Sequence, residues 1–451
     1  MQWRILYNID FLLLPIFLIA FTSVFIVIRN TRYSKSIIKK YFLPALLFRY
    51  VGAILTALMY EYYYGGGDTF MYFLGAQDIY NTMFKDFPAA LELIFNDYSD
   101  LSPVTKQYLT IHRFFISDTE SIIVRLGGFF SLFTLGSFFG ISLLFTSFSF
   151  WGSWKLYLVF YDLYPQYHKT LAFAILLVPS VCFWGTGVMK DPLVMGALGI
   201  FVNATYTLLI KRQQALRSFI LILISGWLIA NVKVYVLLAL LPAMLIWVML
   251  MYTQTIKNVF FRRFAAPIFF VAGAGGGLIV IQLLGQIFPQ YALANLLLEA
   301  EKIRWWLEVS TIRDGGTSYS LGDIDPSLFG LMKAFPMSVN VTLFRPYLWE
   351  VRKPIVLISA LESVSCLVFF LFIFFKTGIR KTLVLMFNDP VIMFCLVFSV
   401  IFAFAVGFTS TNFGALARYK IPCLPFFYSA LFLLYYKAKN MKSLLEISAR
   451  P

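Results

Sequence analysis

The sequence predicts an all-α polytopic membrane protein, and three observations lead to this fold class. Hydrophobic residues make up 60% of the 451 residues and charged residues only 13%, whereas soluble domains are about 45–50% apolar and about 25% charged. Many apolar runs reach the length of about 20 residues that a helix needs to cross a bilayer, enough for about 11 transmembrane helices. The 50 Phe and 26 Tyr suit a lipid-embedded bundle with aromatic belts at its interfaces.

The spans are predicted from the apolar runs, and their orientation from lysine and arginine in the short loops. They are expected near 11–28, 41–60, 125–147, 170–188, 192–210, 218–232, 234–252, 264–288, 354–375, 390–409 and 421–436. Segment 150–165 is either an in-plane helix or another crossing. If it does not cross, every short basic segment falls on the cytoplasmic side together with the C-terminus. These segments are 29–40, 211–217, 255–263, 376–381 and the start of the tail, 437–442.

The chain is expected to be one integral-membrane domain, 1–451, with two large extracytoplasmic loops at 61–120 and 289–353. Apolar residues at helical spacing in the first loop predict interfacial helices, chiefly within 68–118. The net charge of +15 follows from the basic cytoplasmic loops, so it indicates no nucleic-acid partner. The four Cys and two His show none of the spacings of a zinc site.

Asp68 is the first candidate site residue. It follows Gly65-Gly66-Gly67, and three glycines allow a tight turn and close approach to a ligand. The next residues, TFMYF, indicate the start of a helix, whose N-terminus favours an ionised carboxylate. Asp68 is therefore either a helix cap after a turn or a catalytic carboxylate, and the two roles are compatible.

Three charged residues lie where apolar spans meet on the outer side. Lys190 and Asp191 occupy a predicted outer turn, and a charged pair at membrane depth is costly and usually paired or functional. The alternative is an interfacial anchor. Lys233 lies alone between two apolar runs, where it either serves a site or extends to the interface.

The second outer loop ends in a compact patch, Arg345, Trp349 and Glu350, just before a span. Arginine suits bidentate binding of phosphate. Tryptophan suits stacking on a sugar or, equally, an interfacial belt, and the belt is favoured for Trp305 and Trp306. The acids earlier in this loop are interpreted as solvated: Asp314, Asp323 and Asp325.

Two further cations, Arg418 and Lys420, stand at the mouth of the last span, whose start Pro422 and Pro425 are expected to kink. They either hold a phosphate delivered from the lipid or form part of an interfacial girdle.

Orientation alone brings these charges to one face of the membrane. Cations with a nearby carboxylate suit transfer from an anionic lipid-linked donor to an acceptor that loses a proton. The carboxylate would act as a general base or hold a divalent metal. The cations would stabilise charge developing on the leaving phosphate.

Four segments resemble the GT-C-type membrane glycosyltransferases, which use polyprenyl-phosphate-linked sugars. They are Glu61 with the GGGD turn, PSVCFWGTGVMKDP (179–192), FRPYLWE (344–350) and ARYKIPCLPFF (417–427). The last is similar to the Arg/Tyr-Pro-Pro run that opens a late span in bacterial members. Two features depart from the family pattern: Glu61 is seven residues before Asp68, where the family often has neighbouring acids, and an extra span precedes the first loop.

The resemblance implies sugar transfer from a polyprenyl-phosphate-linked donor to a glycan or lipid acceptor, in surface polysaccharide or glycolipid assembly. It places the protein among the lipids of the bacterial inner membrane, with its active face outside. Asp68, with Glu61, would be catalytic, and Asp68 would be the ligand of any Mg²⁺ or Mn²⁺. The resemblance places Lys190, Asp191 and Arg418 near the carrier phosphate, and the charge pattern adds Lys233, Arg345, Trp349, Glu350 and Lys420 to the substrate-binding residues.

Other functions stay open at this point. An O-antigen or exopolysaccharide polymerase or ligase shares many spans and a large outer loop, but it would favour more arginines than the four in 289–353. A transporter or flippase predicts charges near the bilayer midplane, where Arg49 is the candidate. A purely structural membrane subunit is the remaining class.

Overall fold

The computed structural model describes residues 4–289, 295–313, 319–322 and 328–448. These residues form α-helices with short 3₁₀ and π turns and contain no β-strand. The predicted all-α class is therefore confirmed. The chain divides into two compact units. Unit 1 comprises Met1–His168, Val181–Thr205 and Gln214–Val234, and unit 2 comprises Lys169–Ser180, Tyr206–Gln213 and Tyr235–Pro451.

The described residues form 20 α-helices. In chain order they are α1 (Asn8–Arg32), α2 (Lys39–Leu58), α3 (Asp68–Lys85), α4 (Phe87–Phe95), α5 (Pro103–Lys106), α6 (Arg113–Ile116), α7 (Asp118–Ser131), α8 (Phe138–Leu163), α9 (His168–Leu176), α10 (Pro179–Trp184), α11 (Lys190–Thr205), α12 (Ala215–Thr253), α13 (Val259–Ile287), α14 (Leu296–Arg313), α15 (Leu328–Phe344), α16 (Pro354–Thr377), α17 (Ile379–Asn388), α18 (Pro390–Thr409), α19 (Phe413–Tyr419) and α20 (Leu424–Ser448).

Among the described residues, seven helices are long and apolar enough to cross a membrane, or eight if the bent pair α19–α20 counts as one span. The chain is thus a multi-pass membrane protein, although this count does not confirm the predicted 11. The seven segments are Asn8–Arg32, Lys39–Tyr64, Lys190–Ile210, Ala215–Thr253, Pro267–Ile287, Val356–Thr377 and Pro390–Thr409.

Unit 1 is built around α8, which packs against α1, α2 and α11. At 1.5 Å per residue, its 26 residues extend about 39 Å. The approach of α8 to α11 depends on glycine, since a Cβ added at Gly152 would lie 2.0 Å from the carbonyl oxygen of Gly196. Small residues at such positions let helix backbones pack in direct contact.

The helix boundaries near α8 differ from the predicted spans. The span predicted over 125–147 is divided, because α7 ends at Ser131 and α8 begins at Phe138. In the turn between them, Leu135 and Gly136 adopt positive φ angles of 52° and 67°. Residues 150–163 of segment 150–165 belong to α8, and Tyr164 and Pro165 follow its end. The span predicted over 170–188 is also divided into α9 and α10, with Pro179 opening the second helix.

The first predicted outer loop folds as short helices that belong to unit 1, with α3 packed on α4 and α7. Asp78 joins α3 to the chain before α6, because its carboxylate accepts hydrogen bonds from the Thr110 backbone N–H at 2.7 Å and its hydroxyl at 2.6 Å. Burial raises the pKa of Asp78, and these hydrogen bonds oppose the rise. The interfacial position of these helices stays a prediction.

In unit 2, α15 lies within the predicted outer loop 289–353 but packs along α18. A Cβ added at Gly407 would lie 2.0 Å from the carbonyl oxygen of Ser338. Thr342 donates to the carbonyl of Ala403 at 2.7 Å. Residue numbers rise along one helix as they fall along the other, so the two helices are antiparallel. This part of the loop therefore packs against a candidate span.

Candidate functional site

Asp68 opens α3 and is exposed, which confirms the predicted helix start. The turn before it requires glycine, because Gly65 and Gly67 adopt φ angles of 63° and 123°. A Cβ at Gly67 would also lie 2.9 Å from the ring of Tyr60. The glycine run therefore presents a carboxylate at the accessible N-terminus of a helix.

Glu61, the second predicted catalytic acid, is engaged with the N-terminal segment. Its carboxylate accepts the backbone N–H of Ile5 at 3.0 Å and lies 3.5 Å from the guanidinium of Arg4. The side chain is only 8% exposed. These contacts give Glu61 a structural role in fastening the chain before α1.

The described residues contain no group of three or more His, Cys, Asp or Glu side chains placed to hold a metal ion. Glu61, the acid closest to Asp68 on its N-terminal side, binds Ile5 and Arg4. The Mg²⁺ or Mn²⁺ ligand role that the resemblance implies for Asp68 stays a prediction.

Lys233 and Asp191 form a buried ion pair in unit 1. Lys233 interrupts α12 with non-helical φ and ψ angles of −150° and 75°. Its ammonium lies 2.5 Å from Asp191 Oδ1, and the two residues are 7% and 1% exposed. Lys233 therefore does not extend to the surface.

Lys190 makes different contacts from its neighbour in the predicted Lys-Asp pair. Its ammonium lies 3.5 Å from Glu120 and 3.1 Å from the hydroxyl of Thr119. The Lys190 side chain is 17% exposed. Of the charges predicted at this turn, Lys190 is thus more accessible than Asp191.

In unit 2, Arg345 is held by Glu350 and by aromatic rings. Its Nε lies 3.0 Å and 3.1 Å from the two carboxylate oxygens of Glu350, and its Nη2 also contacts Glu350. The guanidinium carbon is 5.3 Å and 5.2 Å from the ring centres of Tyr319 and Phe413. These contacts fix the direction of a partly exposed positive charge.

Glu350 and Trp349 complete this patch. Burial tends to raise the pKa of Glu350, but hydrogen bonds from the Arg345 guanidinium and the Tyr347 backbone N–H together hold it below its usual value. Trp349 is 81% exposed and stacks on Tyr347 with ring centres 4.8 Å apart. We call Tyr319, Arg345, Tyr347, Trp349, Glu350 and Phe413 the arginine patch.

Lys420 is a buried residue that contacts the backbone of the arginine patch. Its ammonium donates to the Arg345 carbonyl at 3.3 Å and to Ser363 Oγ at 2.7 Å, and Ser363 also donates to that carbonyl at 3.1 Å. Since Lys420 is 1% exposed, it positions Arg345. The structure thus brings together Arg345, Glu350 and Lys420, three of the predicted site residues.

Arg418 lies at the end of α19, partly exposed, with its guanidinium carbon 5.7 Å from the ring centre of Tyr419. The axes of α19 and α20 differ by 69°, which confirms the kink predicted from Pro422 and Pro425. Trp305 and Trp306 are exposed. The predicted loop acids Asp314, Asp323 and Asp325 lie outside the described residues.

Arg49, the predicted midspan charge, is fully buried in α2 and donates to Ser149 Oγ at 2.8 Å and Ser153 Oγ at 2.9 Å. Within the described part of the chain, no carboxylate forms an ion pair with it. Its hydroxyl partners belong to a stripe along α8, at helical spacing: Ser142, Thr146, Ser149 and Ser153. These four hydroxyl residues can be recognised in the sequence by their spacing, but the prediction of the spans did not use them.

Glu362 was missed because it lies inside the predicted apolar span 354–375. Its carboxylate accepts the Ser180 backbone N–H at 2.9 Å and the Ser180 hydroxyl at 2.5 Å. The available signal was a single acid in an otherwise apolar run, which marks a functional position by default.

Comparisons with protein-family models, curated proteins and solved structures find no match for this chain. The likeness to GT-C-type glycosyltransferases therefore stays a resemblance of short segments.

Proposed function

We propose that this protein transfers a sugar from a polyprenyl-phosphate-linked donor to a glycan or lipid acceptor on the extracytoplasmic face of a membrane. The arginine patch is the observation that carries the proposal. It combines a directed guanidinium, held by Glu350, with an exposed aromatic surface formed by Trp349 and Tyr347.

The chemistry of the patch matches the two ends of a sugar phosphate. A guanidinium that is already oriented loses little side-chain entropy when it binds phosphate oxygens. An exposed aromatic pair offers an apolar face with fixed geometry, on which a sugar ring can stack. Arg345 would thus stabilise the negative charge that grows on the phosphate as the sugar leaves.

Within unit 1, the proposal assigns removal of the acceptor proton to Asp68. The support is its exposed position at the start of α3, after a glycine turn. A positioned base of this kind contributes about 10²–10⁴-fold to a rate. Arg418, which is partly exposed in unit 2, is proposed as a further phosphate contact, and the substrate-binding role of Lys190 stays a prediction. Asp191, Lys233 and Lys420 are buried and are proposed as positioning residues.

The test is sugar transfer in proteoliposomes that contain the purified protein and a panel of radiolabelled polyprenyl-phosphate sugars. Arg345→Lys keeps the charge but removes the planar fork, so transfer should fall by about 10²–10³-fold. Arg352→Lys is the matched control, since Arg352 is an exposed neighbour in sequence. Equal activity of both variants would refute the role of the patch.

The proposal includes a topology in the bacterial inner membrane. Segments 29–40, 211–217 and 376–381 should be cytoplasmic and 289–353 outside, because the first three are short and basic. Cysteines placed in each segment should react with an impermeant reagent only from the expected side of oriented vesicles. Labelling of 211–217 and 376–381 from outside would place the proposed site residues on the cytoplasmic face and refute this topology.

A transporter or flippase is the second candidate, and the charges within unit 1 favour it. Arg49, Asp191 and Lys233 are all buried, and ionisable groups inside membrane segments often mark substrate or proton paths. The same proteoliposomes can measure movement of an unmodified lipid-linked saccharide between leaflets. Movement that Arg49→Gln abolishes, without any sugar transfer by the wild type, would establish this candidate over the first.

A further inference from the structure

Unit 2 contains a cavity beside α16 and α20 that the sequence does not suggest. Its volume is about 460 Å³, within the about 300–1,000 Å³ typical of small-molecule sites. Phe173, Leu361, Phe369 and Phe432 supply much of an almost entirely apolar lining. Glu362 contributes a carboxylate to this lining.

The cavity opens along the outer surface of α16. Ile358 and Leu361 line it and are 62% and 52% exposed. Since α16 is a candidate span, the medium at this surface is lipid hydrocarbon. The hydrocarbon chain of a lipid can therefore enter the cavity from the membrane.

Glu362 gives the cavity one polar end. It lies eight residues after Pro354, the start of α16, or about 12 Å along the helix axis. Ser180 donates two hydrogen bonds to the carboxylate, and two carboxylate oxygens offer about four acceptor positions. The carboxylate thus has capacity for a further donor.

The charges around Glu362 select the type of head group. A phosphate would be repelled by the carboxylate. A cationic head would be repelled by the ammonium of Lys420, which donates to Ser363, the residue after Glu362 in α16. A neutral hydroxyl avoids both costs and supplies a donor.

We propose that this cavity binds a membrane lipid through its hydrocarbon chain, with a head-group hydroxyl donating to Glu362. The inference does not rest on the proposed function, in which Asp68 rather than Glu362 takes the acceptor proton. Lipid binding itself is independent of any transfer.

The probe is hexadecanol carrying a photoreactive diazirine and an alkyne tag, applied to the protein in phosphatidylcholine nanodiscs. Peptides from α16 and α20 should be labelled, and untagged hexadecanol should compete better than hexadecyl phosphate. Ser365→Trp fills the cavity and should reduce labelling about tenfold. Val368→Trp is the matched control, because Val368 is exposed on the same helix but does not line the cavity.

Glu362→Gln tests the polar end separately. Loss of a hydrogen bond to a charged group should weaken hexadecanol binding about tenfold or more, while a tagged hexadecane, which has no hydroxyl, should be unaffected. Equal labelling of the two tryptophan variants, or tighter binding of hexadecyl phosphate than of hexadecanol, would overturn the proposal. If hexadecanol labels the cavity and no sugar is transferred, the lipid site stands and the proposed function fails. If sugar transfer proceeds and the cavity is not labelled, the reverse is true.

Discussion

The two units hold their charges in different ways. In unit 1, Arg49 is surrounded by hydroxyls, and Asp191 pairs with Lys233 out of reach of solvent. In unit 2, Arg345 and Glu350 are partly exposed beside aromatic rings, and Glu362 borders a cavity. Charges that look equivalent in the sequence therefore separate into buried groups and groups that reach the surface or a cavity.

Asp68 is an exposed carboxylate of unit 1, unlike the buried charges named above, and it carries the largest expected effect. Asp68→Asn keeps the shape and removes the charge, so the protein should stay folded while sugar transfer falls by about 10²–10⁴-fold. The measurement is product formation per folded protein in proteoliposomes. Asp100→Asn is a suitable control, because Asp100 is also exposed in the first predicted outer loop. Normal product formation by Asp68→Asn would refute the catalytic role of Asp68.

The buried pair should matter for stability more than for ligand contact. Lys233→Ala leaves Asp191 as a buried charge, and such a loss typically costs about 3–5 kcal/mol. Thermal unfolding in detergent should therefore shift to a much lower temperature. Lys190→Ala, at a neighbouring residue that is partly exposed, should cost about 0–1 kcal/mol. If both variants lowered the unfolding temperature by a similar amount, the different burial of Lys190 and Lys233 would not determine their contributions to stability.

The fold class was predictable from the sequence because apolar runs and basic loops are cumulative signals over many residues. The boundaries were less so, because each depends on a few local contacts. Leu135 and Gly136 divide a predicted span through their backbone angles, and Lys233 interrupts α12 within an apolar run. A hydropathy window averages over such positions.

The same limit applies to the candidate site. Arg345 and Glu350 share a short segment, so their proximity could be predicted from local sequence, whereas Lys420 reaches Arg345 from 75 residues away. The partners of Arg49 are 100 and 104 residues away and that of Lys233 is 42 residues away, so the sequence around Arg49 or Lys233 does not identify them. Glu362 was hidden by the apolar residues on both sides of it.

Close helix packing in unit 1 can be tested against an open position in unit 2. Gly152→Ala would place a Cβ against the backbone of Gly196, and overpacking of this kind costs about 1–3 kcal/mol. Gly275→Ala, where no atom lies within 4 Å of an added Cβ, should be neutral or stabilising, because alanine favours helix by about 1 kcal/mol. Thermal unfolding of both variants measures the difference. A stable Gly152→Ala protein would contradict direct contact of the α8 and α11 backbones.

The smallest expected effect concerns the ionisation of Glu350 in the arginine patch. The folded protein lowers the pKa of Glu350 below its ordinary value of 4.5, so the folded state favours the ionised form. The resulting stabilisation is present above pH 4.5 and is lost as the pH falls through the lowered pKa. Glu350→Gln removes this dependence. The difference in unfolding temperature between wild type and Glu350→Gln should therefore be small at neutral pH and should shrink further in acid.

Glu308→Gln is the control for this last comparison, since Glu308 is an exposed acid on α14 of the same unit. The Arg345–Glu350 pair is partly exposed, and pairs of this kind contribute about 0–1 kcal/mol. Its value to the protein would then lie in fixing the direction of Arg345. Consistent with that role, Glu350→Gln should lower the rate of sugar transfer while the unfolding temperature changes little. If the unfolding temperature falls together with the rate, Glu350 instead stabilises the fold.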